Sequence, residues 1–122
     1  MKKPEKVDIE NEDRLLRRVP FTDPRYIKSD GSLSSFAFTP KKEDRGLSVN
    51  IEKLTTYEKS IENVRRFRLY FHQAINYRNL GLECEHDPVP KNYAHALVLG
   101  INPNNRKIPR KLARSAVKID FP

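Results

Sequence analysis

LGLECEHDPVPKNYAHALVLG, residues 80–100, is the stretch in which local chemistry alone dictates structure. Gly81 suits the left-handed residue that follows a helix C-terminus. Leu82 and Cys84 alternate with Glu83 and Glu85, as a short strand with one buried face requires. Asp87-Pro88-Val89-Pro90 then stiffens the crossing, because each proline fixes its own φ and restricts the residue before it. Residues 94–101 are apolar enough for a central strand.

Upstream of this stretch, Thr55-Thr56-Tyr57-Glu58 fits a capping box with Thr55 as the cap, and Tyr57, Ile61 and Val64 continue an apolar stripe. The pattern predicts a helix over 55–65. Residues 66–72 fit two periods. Phe67, Leu69 and Phe71 alternate with Arg66, Arg68 and Tyr70, as in a strand, yet they also extend a helical stripe to Ala74 and Ile75. We read a strand over 66–72 and a second helix over 73–80. Leu47, Val49 and Ile51 alternate with Ser48 and Asn50 and predict a strand. Residues 33–39, with Phe36 and Phe38 on one face, are expected to pair with it antiparallel across the charged turn 40–46. Leu15, Leu16 and Val19 surround Arg17 and Arg18 in a first strand closed by Pro20. One arginine must therefore face the core side, where it needs a carboxylate or carbonyl partner. Residues 21–32 are loop, turned by Asp23-Pro24 and Asp30-Gly31.

Downstream, Asn102-Pro103-Asn104-Asn105 turns the chain, and Pro109 fits the first turn of a last helix. Ile108, Leu112 and Ala116 share one face of it, while Lys107, Lys111, Arg114 and Lys118 form a basic stripe. The fold expected is α+β: a single domain over 14–122, with a mixed sheet of about five strands under two or three helices. Residues 1–13, charged and free of aromatics, are expected to be a flexible tail.

Composition bounds the function. The chain has 122 residues, enough for one core, and its net charge of +8 is uneven: residues 106–122 hold six basic side chains and one acidic. Charge concentrated in that way favours an acidic partner. Cys84 is the only cysteine, which excludes a disulfide framework, and no apolar run suggests a signal peptide or a membrane span. A cytoplasmic protein without a membrane partner is the expectation.

RRVP (17–20), SSFAF (34–38), GLSV (46–49), LGL (80–82), DPVPKNYAHA (87–96) and KLARSA (111–116) occur in that order. In this the chain resembles a group of small prokaryotic proteins that share a double-arginine strand, a Ser-Ser/aromatic segment, an LSV strand and a Leu-Gly-Leu…Asp-Pro-x-Pro…His-Ala segment. The resemblance covers most of residues 14–116. The group has no established activity, so the resemblance implies a common fold, including a strand at 66–72, and no chemistry. The chain departs from the group in its charged N-terminal segment and in Gln73 and Asn76.

The candidate site follows from the charge. Lys107, Arg110, Lys111, Arg114 and Lys118, with Arg66 and Arg68 behind them, are the expected contacts of a non-enzymatic basic module with nucleic acid or with the acidic surface of a partner protein. Two alternatives remain open. One is an enzyme acting on a phosphoester or nucleotide through Arg17 or Arg18, Ser34 or Ser35, and His95. The other is a structural accessory subunit, which requires an exposed apolar patch. No cofactor is expected. Cys84, His86 and His95 make a poor metal set because no second ligand pair accompanies Cys-x-His. The four glycines, at 31, 46, 81 and 100, form no phosphate loop.

Overall fold

The computed structural model describes residues 5–122. Six strands form one antiparallel sheet in the order β4-β5-β2-β1-β3-β6: β1 (Arg14–Pro20), β2 (Leu47–Ile51), β3 (Phe67–Gln73), β4 (Glu83–His86), β5 (His95–Leu99) and β6 (Val117–Lys118). Three helices accompany it: α1 (Tyr57–Ile61), α2 (Ala74–Arg78) and α3 (Lys107–Ser115). The α+β class is as expected. The sheet has one strand more than expected, and every pairing is antiparallel rather than mixed.

Strand alternation divides the core in two. On one face Leu15, Val19, Leu47, Val49, Ile51, Ala96 and Val98 pack beneath α2, α3 and a 3₁₀ turn at Ser35–Phe38. On the other, Leu16 and Leu69 meet Ile61 of α1 and Ile119 in a smaller cluster. Leu15 and Leu16 are adjacent and both buried, so β1 is apolar on both sides. Each such leucine contributes roughly 2 kcal/mol of burial.

Several expectations change. Residues 33–39 form no strand: Ser35–Phe38 is a 3₁₀ turn, with Phe38 fully buried and Phe36 42% exposed against Tyr26. The Leu47–Ile51 strand therefore pairs with β1 and β5 instead of with residues 33–39. The helix expected over 55–65 is one short turn. It is capped by Thr56, whose side chain accepts from the Lys59 N–H at 3.2 Å, and it stops at Glu62, which takes φ 59°. The ambiguous 66–72 segment is the strand β3, and the helix expected over 73–80 is the shorter α2, which ends at Arg78, with Gly81 at φ +82° in the turn after it. Helix α3 ends at Ser115, which puts Lys118 on β6 and not on the helical stripe.

Of the tail expected over 1–13, residues 1–4 lie outside the described residues, and 5–13 are tied to the domain. The carbonyls of Asp13 and Asn11 accept from the N–H groups of Ala74 and Ile75 at 2.8 and 3.0 Å, which satisfies donors that the start of α2 would otherwise leave open. Arg78 donates to the Ile9 carbonyl and to Asn11 Oδ1, and Ile9 is buried. Among the described residues no helix is long and apolar enough to cross a membrane.

Candidate anion-binding face

Helix α3 rests on the 3₁₀ turn through Pro109 and Leu112, with Ile108, Ala113 and Ala116 at the margin. A buried histidine fixes it further: His72 Nε2 lies 2.9 Å from the Leu112 carbonyl and 3.0 Å from Ser115 Oγ. At its start the Asn105 side chain accepts from the Lys107 N–H at 3.0 Å. The apolar stripe thus turns inward, and every cation of the helix turns outward.

Arg106, Lys107, Arg110, Lys111 and Arg114 are all exposed, as is Lys118 on β6. Among the described residues none of the six has a carboxylate within 4.0 Å, which is equally true of the exposed Lys28, Lys41, Lys42, Lys59, Arg65 and Lys91; what sets the six apart is their grouping on one helix and the strand after it. Five of the six, with Asn104 and Asn105, line an open groove of about 550 Å³. Arg106, Arg110 and Arg114 also border a second hollow, of about 310 Å³, with Lys28, Ser34 and Ser35 on its far side. These three arginines are spaced by four residues, or about 6 Å along the axis. They form a ridge between two basic depressions. No acidic residue sits in the first turn of α3, so no carboxylate charge there offsets the positive end of its dipole.

The structure therefore gathers Lys107, Arg110, Lys111 and Arg114 and adds Arg106, which the sequence reading passed over. Its signal was present in the four-residue spacing to Arg110. Lys118 lies just beyond the helix, opposite Tyr70 across the β3–β6 pair. Arg66 and Arg68 are at the far start of β3 and differently engaged. Arg66 stacks on Phe67 at 4.9 Å; Arg68 covers Phe21 at 4.1 Å and donates to the carbonyls of Val64 and Phe67.

The alternative enzyme site is brought together only in part: Arg17, Arg18 and His95 border one small cavity, while Ser34 and Ser35 lie on the second hollow. Arg17 is the inward-facing arginine: its Nε donates to the Ala37 carbonyl at 2.8 Å and its Nη1 to the Ser48 carbonyl at 3.0 Å. Burial pulls its pKa down. Ser35 lies on the α3 side of the sheet, on the second hollow. His95 points to the opposite face, where its Nε2 is 3.2 Å from Ser48 Oγ. The hydroxyl beside the imidazole is thus Ser48, and neither Ser34 nor Ser35. Only the register of β2 against β5 could reveal that, since it sets Asn50 opposite His95 and Ser48 diagonal to it.

Cys84 and His86 face the core, on the other side of the sheet from His95, and burial raises the Cys84 pKa. Exposed large apolar side chains are dispersed: Phe36 on the 3₁₀ turn, Val64 before β3, Val89 and Tyr93 in the β4–β5 connection, and Val117 on β6. Comparison with protein-family models, curated proteins and solved structures finds no match to this chain.

Proposed function

We propose that this protein is a binding module that docks on nucleic acid through the cationic face of α3. The observation that supports the reading is the grouping of six exposed cations, five of them on one groove, none with a carboxylate within 4.0 Å among the described residues. A solvated face built for solubility alone has no need of a helix held in place by a buried histidine and an apolar stripe. Phosphates suit the groove, because guanidinium forks bind them bidentately and lysines add point charges. Contacts of this kind position a protein on a backbone and carry no base code, so the binding is insensitive to sequence.

Titration of fluorescent duplex DNA and of single-stranded RNA at several salt concentrations tests the reading. Six phosphate contacts give a slope of log affinity against log salt near −5 on duplex, which amounts to a loss of about 10³-fold between 50 and 200 mM. Lys111→Glu with Arg114→Glu should reduce binding below detection at 200 mM salt. Affinity that ignores salt, or a double variant that binds like the parent, overturns the proposal. Salt-sensitive capture of an acidic protein from nuclease-treated lysate, with no binding to either nucleic acid, would replace nucleic acid by a protein partner.

A further inference from the structure

On the face of the sheet opposite α3, three side chains form a chain of contacts. Ser48 Oγ on β2 lies 3.2 Å from His95 Nε2 on β5, and His95 Nδ1 lies 3.2 Å from Asp87 Oδ2 and 2.9 Å from the Asp87 carbonyl. Asp87 is itself held. Its N–H donates to the His95 carbonyl at 2.9 Å, and Arg45 Nη2 stands 3.6 Å from its other carboxylate oxygen. With Nδ1–H directed at Asp87, Nε2 is left as the acceptor facing the Ser48 hydroxyl, the tautomer that a general base requires. Ser48 is exposed and His95 partly so, and both border a small cavity of about 140 Å³ with Arg18, Asn50, Ser60 and Asn92.

We propose that Ser48, His95 and Asp87 constitute a hydrolytic site for small carboxylic esters, with Ser48 as nucleophile, His95 as general acid–base and Asp87 as the residue that positions the imidazole. Such a relay is recognised by geometry and role, not by chain order or fold. The cavity, of about 140 Å³, accommodates an acyl group of a few heavy atoms. Ser48 Oγ bonds to the ester carbonyl carbon while its proton passes to His95 Nε2. The bond from that carbon to the leaving oxygen then breaks, and His95 returns the proton to the departing alcohol. Water attacks the acyl-serine by the same route in reverse, giving the acid and restoring Ser48. N–H donors bordering the cavity for the intermediate's oxyanion include the Asn92 amide and the Arg18 guanidinium. Each keeps donors beyond those directed at Asn50 Oδ1 (2.9 Å) and at Glu62 (2.8 Å).

The test uses the full chain with 4-nitrophenyl acetate as substrate and a fluorophosphonate as trap. Peptide mapping should place a single phosphonyl adduct on Ser48, and Ser48→Ala should abolish both the adduct and 4-nitrophenol release above buffer. His95→Gln should lower kcat by about 10²-fold or more with little change in KM, the loss typical of a missing general base. Asp87→Asn should lower kcat less than His95→Gln, because the Asp87 carbonyl still accepts from Nδ1–H and only the carboxylate charge that stabilises the imidazolium is lost. Wild-type labelling does not depend on any variant folding. No adduct on the wild-type protein, an adduct elsewhere, or a Ser48→Ala variant that hydrolyses the ester at the parental rate refutes the assignment.

Discussion

His72 makes this fold acid-sensitive by an amount that can be worked from its surroundings. The ring is buried on β3 between Phe38 and Tyr77, with both ring centroids 5.1 Å away. Nε2 is engaged with α3, and among the described residues Nδ1 has no partner. A proton on Nδ1 would be buried without an acceptor, and burial accordingly pulls the pKa from 6.5 down to about 4. The unfolded chain takes up the proton first. Stability is thus fully present above the unfolded pKa of 6.5 and is lost as the pH falls toward the folded value of about 4. One pKa unit corresponds to about 1.4 kcal/mol, so roughly 2 kcal/mol should disappear between pH 7.5 and 5, and about 3 kcal/mol by pH 4. Asp23, Asp30 and Glu85, each held below the usual carboxylate range by hydrogen bonds from Arg25, Ser32 and Arg45, titrate mainly below that first window. Urea unfolding followed by circular dichroism at both pH values measures the loss as a fall in midpoint of about 1 M. His72→Gln keeps an N–H near α3 and cannot titrate, and the Leu112 carbonyl retains the Ala116 N–H at 3.0 Å in any case. The variant should therefore hold nearly the same midpoint at pH 7.5 and 5. Equal acid losses in parent and variant would show that His72 is not the responsible group.

Two further substitutions probe the frame of the two sites. Arg17→Met strips the Ala37 and Ser48 carbonyls of their guanidinium donors, a loss of about 1–3 kcal/mol that relief of the buried charge offsets only in part. It should appear as a melting temperature several degrees lower, and an unchanged value would mean that these bonds add nothing. Gly46→Ala would set a Cβ 2.7 Å from the Val98 carbonyl oxygen and 2.9 Å from Leu99 Cδ2, against backbone locked in the β2–β5 ladder. A cost of about 1–3 kcal/mol is expected in the denaturation midpoint, and parental stability would contradict the close approach.

The sequence alone determined the features whose causes are local. Alternation wrote β2 and β4, apolar residues around two arginines before Pro20 wrote β1, the apolar run wrote β5, and Gly81 with the prolines after it wrote the breaks around β4. The basic side of α3 was legible for the same reason, since four-residue spacing fixes a face wherever a helix forms. Only the tertiary structure decided what depends on partners distant in the chain. Residues 33–39 carry strand-like aromatics, yet they coil into a 3₁₀ turn because Phe38 is buried beside His72 and next to α3. Residues 5–13 looked too polar to be ordered, but the open N–H groups of α2 and the Arg78 guanidinium engage their carbonyls. The strand order, the two-residue strand β6 and the meeting of Ser48 with His95 follow from register between segments tens of residues apart. Such register is set by which faces must be buried together, and no local pattern contains it.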